Sequence, residues 1–248
     1  MILDRDSAMS TVLDLLRLHV EAGWGVWLPP LVAGSEHACL AGGTVPEWAV
    51  YVAAVVGALG ERPLEGNGER VRIRRDADAA PEMLAPLWQA ADAALDASSS
   101  PPGVTREVAL HLAAPSKLGL GAARTLARPL GEHDRAAVEE FEPGESAYYL
   151  DAPRRAPVIG AFLDGRLAAI AHSSRRTAQA CELGVDTAVW ARRRGLGLAV
   201  TTLWTAGVRN EGLVPLYSAL AENTASLALA HAAGYRPFAR AAYLAALV

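Results

Sequence analysis

Apolar positions recur at helical spacing in "STVLDLLRLHVEAG", where Leu13, Leu16 and Val20 share one face and Gly23 closes the run. The stretch predicts a helix. "TVPEWAVYVAAVVGALG" predicts a second, opened by a capping box of Thr44 and Glu47 with Pro46 in the first turn. "APEMLAPLWQAADAALDA" predicts a third, which Pro86 breaks or kinks. Between them "GWGVWLPPLV" and "ERVRIRR" read as strands. "SSSPPG", residues 98–103, has a linker's composition. Residues 1–103 are therefore expected to form a mainly helical N-terminal domain with its linker.

The pattern then changes. "REVALHLAA" reads as a strand, "ARTLARPL" as another, and "GEHDRAAVEEF" as a helix. "APVIGAFLDGRLAAIAHSS" is a hairpin: two apolar runs joined by Asp164-Gly165. "ACELGVDTAVW" continues as a strand, "LAVTTLWTAGVRNEG" as an amphipathic helix stopping near Gly212, "LVPLYSAL" as a strand and "NTASLALAHAAG" as a helix ending at Gly234. "YRPFARAAYLAAL" closes as a strand or hairpin. The order β-α-β-β-β-α-β-α-β places residues 104–248 in an α/β (α+β) class. No internal repeat is present.

Composition narrows the function classes. The 248 residues are 52% hydrophobic and 20% charged, with a net charge of −4. That balance argues against a nucleic-acid partner. Lys117 is the lone lysine among many arginines, and alanine is abundant, a coding bias of GC-rich bacterial genomes. Cys39 and Cys181 have neither metal-ligand spacing nor a disulfide framework, so no metal is expected and a reducing cytoplasm fits. "MILDRDSAMS" shows no leader-type apolar region. The most apolar run, "WAVYVAAVVGAL", falls short of the ~20 residues that span a bilayer, so no membrane partner is expected.

The stretch with the clearest chemistry is "ARRRGLGLAV", Ala191 to Val200. A loop between a strand and a helix presents the helix's unpaired first N–H groups, and the helix dipole favours an anion there. Gly195 and Gly197 remove Cβ atoms from the approach, and Arg192, Arg193 and Arg194 add positive charge. No Gly-Lys-Ser/Thr follows, so this is not a P-loop, and no third glycine completes a dinucleotide fingerprint. An exposed basic turn is the other reading.

Arg192-x-x-Gly195-x-Gly197 after a strand resembles the pyrophosphate loop of the GNAT superfamily of acyl-CoA N-acyltransferases. "GLVPLYSALAENTASLALAHAAGYRPF" is similar to that family's fifth strand and fourth helix, with Asn223, Ser226, Gly234 and Tyr235 at the motif positions. The resemblance covers residues 122–248. It implies a mixed, mostly antiparallel sheet flanked by helices and acetyl-CoA as co-substrate. It further implies that Arg192, Arg193, Arg194, Gly195, Leu196, Gly197 and Leu198 line the phosphates. Val185 and Thr187 would pair with the pantetheine amides, and Asn223 and Ser226 would reach the cofactor. The Val185 N–H would polarise the thioester carbonyl. Asn223 suits a plain helix N-cap equally well. The N-terminal half lies outside the resemblance and carries no recognised motif: it is either an unrelated helical domain or a diverged copy of the same fold without the phosphate loop, and it would cover the acceptor site or form a homodimer interface.

The family's usual acid, a tyrosine seven residues after the asparagine, is replaced by Ala230. His231 is adjacent, but one helical step turns it by about 100°, and a histidine near a helix C-terminus is favourable without any catalytic role. Glu182 is the candidate base, acting through water, or else an ion-pair partner of Arg175 or Arg176. Tyr217 and Ser218 lie on the fifth strand, and either would bind the acceptor or donate a proton; the other reading of Tyr217 is a packed strand aromatic. Asp186 alternates to the face opposite Val185 and Thr187. His172 reads as a strand-end histidine, Cys181 as buried and inert, and Trp24, Trp27 and Trp48 as N-terminal core. The sequence thus predicts transfer of an acetyl or other short acyl group from acyl-CoA to a primary amine of a small molecule or peptide, in a ternary complex. The rival readings are a non-catalytic acyl-CoA-binding module and an interaction protein whose working part is the N-terminal half.

Overall fold

The computed structural model describes residues 5–24, 26–38, 49–55, 70–75, 81–97 and 100–245. The chain runs α1 (Arg5–Trp24), β1 (Glu36–Ala38), β2 (Ala49–Val55), β3 (Arg70–Arg75), α2 (Pro81–Asp96), β4 (Thr105–Leu112), α3 (Leu120–Leu126) and β5 (Ala127–Pro129). It continues through α4 (Arg135–Phe141), α5 (Ser146–Leu150), β6 (Ile159–Leu163), β7 (Arg166–Arg176), β8 (Ala180–Thr187), α6 (Leu196–Asn210), β9 (Val214–Leu220), α7 (Thr224–Ala232) and β10 (Tyr235–Ala245). Two compact units result. One comprises Met1–His111, Ser218–Thr224 and Arg236–Val248; the other comprises Leu112–Tyr217 and Ala225–Tyr235.

In the first unit β2 lies between β3 and β10, antiparallel to both, and β1 runs parallel to β3. The segment expected as the second helix is therefore β2. Its alternating residues are covered on both faces: Val50, Val52 and Ala54 pack on Leu84, Trp88 and Ala91 of α2, while Tyr51 meets Trp24 of α1 at 5.7 Å. A strand buried on both sides reads as a continuous apolar run, which periodicity cannot tell from a buried helix. The cap residues Thr44, Pro46 and Glu47, with Cys39 and Trp48, lie outside the described residues. β3 alternates as expected, with Val71 and Ile73 buried and Arg70 and Arg72 reaching Asp92 of α2 at 2.6 and 2.7 Å. Pro86 sits inside α2. The expected strand at "GWGVWLPPLV" is instead the end of α1 and an irregular segment, because Pro29 and Pro30 lack ladder donors. A buried polar network joins α1, β2 and β4: Glu107 Oε1 accepts from the Tyr51 hydroxyl at 3.0 Å and lies 2.9 Å from His19 Nε2.

In the second unit β5, β6, β7 and β8 form an antiparallel series, and β8 pairs in parallel with β9. The predicted hairpin is present, with Asp164 and Gly165 both at positive φ (52° and 79°). "ARTLARPL" departs from expectation: it is helical through Leu126 and extended only over Ala127–Pro129. Ala, Leu and Arg favour the helix, and Pro129 removes a ladder donor at the end of a short edge strand. α6 covers one face, where Trp204 donates to Ser173 Oγ of β7 at 3.2 Å. α4 and α5 cover the other, where Val138 and Tyr149 pack on Leu167 and Ile170.

Gly234 ends α7 with φ of 95°, and the N–H groups of Ala113 and Ala114 both donate to its carbonyl at 3.0 and 3.1 Å. A Cβ there would collide with the Ala114 carbonyl oxygen, which those bonds hold in place. Gly234→Ala is expected to lower unfolding free energy by about 3 kcal/mol in urea titrations, from strain and collision together.

Candidate functional site

β8 is the central element of the second unit. On one side it pairs with β7 from Ala169↔Thr187 to Arg176↔Cys181. On the other it pairs with β9 only over Ala180↔Val214, Cys181↔Pro215 and Glu182↔Leu216. Beyond that the pairing stops while β8 continues to Thr187. The Ala188 N–H donates to the Ala168 carbonyl at 2.9 Å, which sets the alternation. Asp186 and Gly184 turn their backbone groups to β7, and Val185 and Thr187 turn theirs to the open edge. An extended ligand backbone can add along that edge. Arg192 Nε donates to the Thr187 carbonyl at 3.4 Å, at the end of the edge.

The helix α6 begins at the same end. Gly195 is its N-cap in the left-handed region (φ 78°), and Arg193 also has positive φ (61°). Leu196, Gly197 and Leu198 supply the helix's unpaired first-turn N–H groups, and no acidic residue stands in that turn. Arg192, Arg193 and Arg194 are exposed around them. The two glycines have different physical reasons. Around Gly195 a Cβ would meet nothing within 4 Å, so its backbone conformation and an open approach explain it. A Cβ on Gly197 would stand 3.0 Å from Thr187 Oγ1 and 3.6 Å from Leu229 Cδ2, so Gly197 lets α6 approach β8 and α7.

The proposed catalytic residues are not equivalent in setting. Glu182 is buried (2% exposed) and ion-paired with Arg175 at 3.2 Å. Tyr217 is buried, its hydroxyl 2.8 Å from Ser226 Oγ, and burial pushes its pKa up. That contact fastens the first turn of α7 to β9. Ser226 therefore already has a protein partner. His231 is exposed in the last turn of α7, and Ala230 beside it is fully buried. Asn223 immediately precedes α7, its N–H donating to the Leu220 carbonyl at 2.9 Å. Cys181 is buried, and burial raises its thiol pKa.

Sequence reasoning missed a cluster on the face of β8 and β7 opposite α6. Tyr148 and Tyr149 of α5 stand edge-on to His172 of β7, with ring centroids 5.5 and 5.0 Å away. His172 is 4% exposed, and burial, then the charge of Arg155, lowers its pKa from 6.5 to about 4. The Tyr149 hydroxyl donates to Glu142 Oε2 at 2.6 Å. Asp186 is raised, first by burial and then by Glu142, with Arg192 opposing. The signal in the sequence was weak: "ESAYYLD" carries no motif, and His172 sits in an apolar strand.

No family model matches the sequence, and no curated protein matches it. Solved structures do. A chain from Novosphingobium aromaticivorans, assigned to the GNAT acetyltransferases, is 25% identical over 61% of this chain and 72% of its own, with a TM-score of 0.45. An acetyltransferase of the GNAT family from Colwellia psychrerythraea is 17% identical over 68% of this chain and 62% of its own, TM-score 0.45. A GCN5-related N-acetyltransferase-like protein from Streptococcus suis is 19% identical over 58% of this chain and 63% of its own, TM-score 0.41. This chain thus spans less than two thirds of the last two.

The low His172 pKa has a measurable consequence. The unfolded chain binds a proton near pH 6.5, the folded chain only near 4, so the stabilising contribution is complete above 6.5 and is lost as pH falls toward 4. Stability should drop across that window by on the order of 3 kcal/mol. His172→Gln is expected to flatten this part of the pH–stability curve measured by denaturant titration. In its mixed, mostly antiparallel α/β fold, the chain is similar to GNAT acetyltransferases.

Proposed function

We propose that the protein transfers an acetyl or other short acyl group from acyl-CoA to a primary amine of a small molecule or peptide, by direct attack in a ternary complex. The observation that carries this reading is the open edge of β8 ending beside the N-terminus of α6. An acyl-CoA has two matching parts: a pantetheine arm with two amides, and a pyrophosphate. The amides add to the edge at Val185 and Thr187, and the pyrophosphate meets the N–H groups of Leu196 to Leu198 with the Arg192–Arg194 charges around it.

The chemistry follows from that placement. A neutral amine attacks the thioester carbonyl carbon, and the Val185 N–H donates to the developing oxyanion. The ammonium proton passes through water to Glu182. The C–S bond breaks and the thiolate leaves. Thiols ionise around pH 8.5, so a thiolate is a competent leaving group without the acid that Ala230 replaces. Tyr217 holds the Ser226 turn of α7, and His231 takes no part in these steps. The second reading, a binding module without turnover, draws on Ala230 and on the Arg175 bond that engages Glu182.

Calorimetric titration of acetyl-CoA tests the donor site. Gly195→Asp is the informative variant: its side chain enters open space and brings negative charge to the phosphate path, and Asp is among the residues that tolerate the left-handed backbone found there. Its affinity is expected to fall at least about tenfold, roughly 1.4 kcal/mol, with the circular dichroism spectrum unchanged. Absence of binding by the wild type would remove the acyltransferase reading. Binding without thiol release across an amine panel would leave the binding module.

A further inference from the structure

The face of β8 turned away from α6 carries Glu182, Gly184 and Asp186 in one row. The Glu182 charge is met by Arg175. Asp186 is exposed on this face, and a second carboxylate, Glu142 at the end of α4, is brought to the same face by Tyr149, whose hydroxyl donates to Glu142 Oε2 at 2.6 Å and whose ring stands 5.0 Å from His172. Both carboxylates also act on Tyr149, whose hydroxyl is held up from ionisation by burial and then by Glu142 and Asp186. Two carboxylates that share a face repel when empty and gain when a cation sits between them.

His172 supplies an independent sign of a ligand. It stands directly across from Gly184 in the β7–β8 register. Its Nε2 and Nδ1 lie 2.7 and 3.0 Å from where a Gly184 Cβ would be, so this ring edge is turned over the Glu182–Asp186 row. Nε2 is 3.3 Å from the Tyr148 hydroxyl, whereas Nδ1 is buried and has no hydrogen-bond partner among the described residues. With Nε2 protonated toward Tyr148, Nδ1 is an acceptor left over for an N–H.

Resting on the acyltransferase reading, we infer that this face is the acceptor subsite, and that the acceptor is a small aliphatic diamine or polyamine whose second ammonium is held by Asp186 and Glu142. The attacking amine cannot satisfy these carboxylates, because it must be neutral to react. The charge they call for has to come from another group on the same acceptor. The Tyr149 ring lies beside the methylene chain, while the Tyr148 ring is held in place by the Arg155 guanidinium 3.8 Å from its centroid. Gly184 makes room for the His172 ring over the row, and the His172 imidazole takes one of the ammonium N–H groups.

The test uses the full chain saturated with coenzyme A and compares calorimetric binding of 1,4-diaminobutane and spermidine with that of 1-aminobutane. The wild type is expected to bind at least one of the two multiply charged amines about tenfold or more tighter than the monoamine. Asp186→Asn and Glu142→Gln should each bring them within about threefold, while coenzyme A affinity stays within about twofold. Wild-type binding of the monoamine equal to that of both others, or no binding of any, overturns the proposal, as does a preference that survives in both variants. Coenzyme A binding without the amine preference would sink only this inference. No coenzyme A binding by the wild type would sink the acyltransferase reading and the subsite with it.

Discussion

Parallel pairing between β8 and β9 ends at Glu182 and Leu216, and the edge left open beyond it sets the arrangement of the second unit. A strand that keeps one neighbour and loses the other has backbone groups to offer, and alternation assigns them to Val185 and Thr187. The same geometry sorts side chains. Val185 and Thr187 stand on the α6 face, beside the helix start, and Glu182, Gly184 and Asp186 stand on the α4–α5 face. One strand therefore offers backbone groups along its edge, a helix N-terminus at its end and the side chains of Glu182 and Asp186 on its far face. Its rigidity comes from β7, which pairs along its whole length, and from α6, which buries Ala199, Val200 and Trp204.

Glycine positions make the close approaches possible. Gly197 brings α6 near Thr187 and Leu229, and Gly184 admits the His172 ring over the strand. Gly195 and Arg193 place left-handed residues in the loop that leads into α6. Arg193 in that conformation costs on the order of 1 kcal/mol, a strain typical of loops that hold ligands.

The first unit is organised by a strand with no exposed face. β2 is covered by α1 and α2, and it also carries Tyr51 to the buried Glu107–His19 pair. Buried ionisable groups are tolerated only when their hydrogen bonds are met. This network fixes α1, β2 and β4 to one another, because its three members come from all three.

The sequence by itself determined the elements whose signals are local. Asp164-Gly165 specified its turn, α6 announced itself by apolar spacing and Gly212, and the Arg192-Gly195-Gly197 loop was legible because a helix start and its glycines are contiguous. It also gave the alternation that puts Asp186 opposite Val185. What needed the tertiary structure was whatever depends on a neighbour distant in sequence. An unbroken apolar run does not reveal whether it is covered on two faces as a strand or all round as a helix, so β2 was misjudged. Glu182 did not reveal that Arg175 would engage it, nor Tyr217 that Ser226 would bond its hydroxyl. The Glu142–Tyr149–His172–Asp186 cluster was invisible for the same reason. Its members come from α4, α5, β7 and β8, and only strand pairing with helix packing brings their side chains to one face.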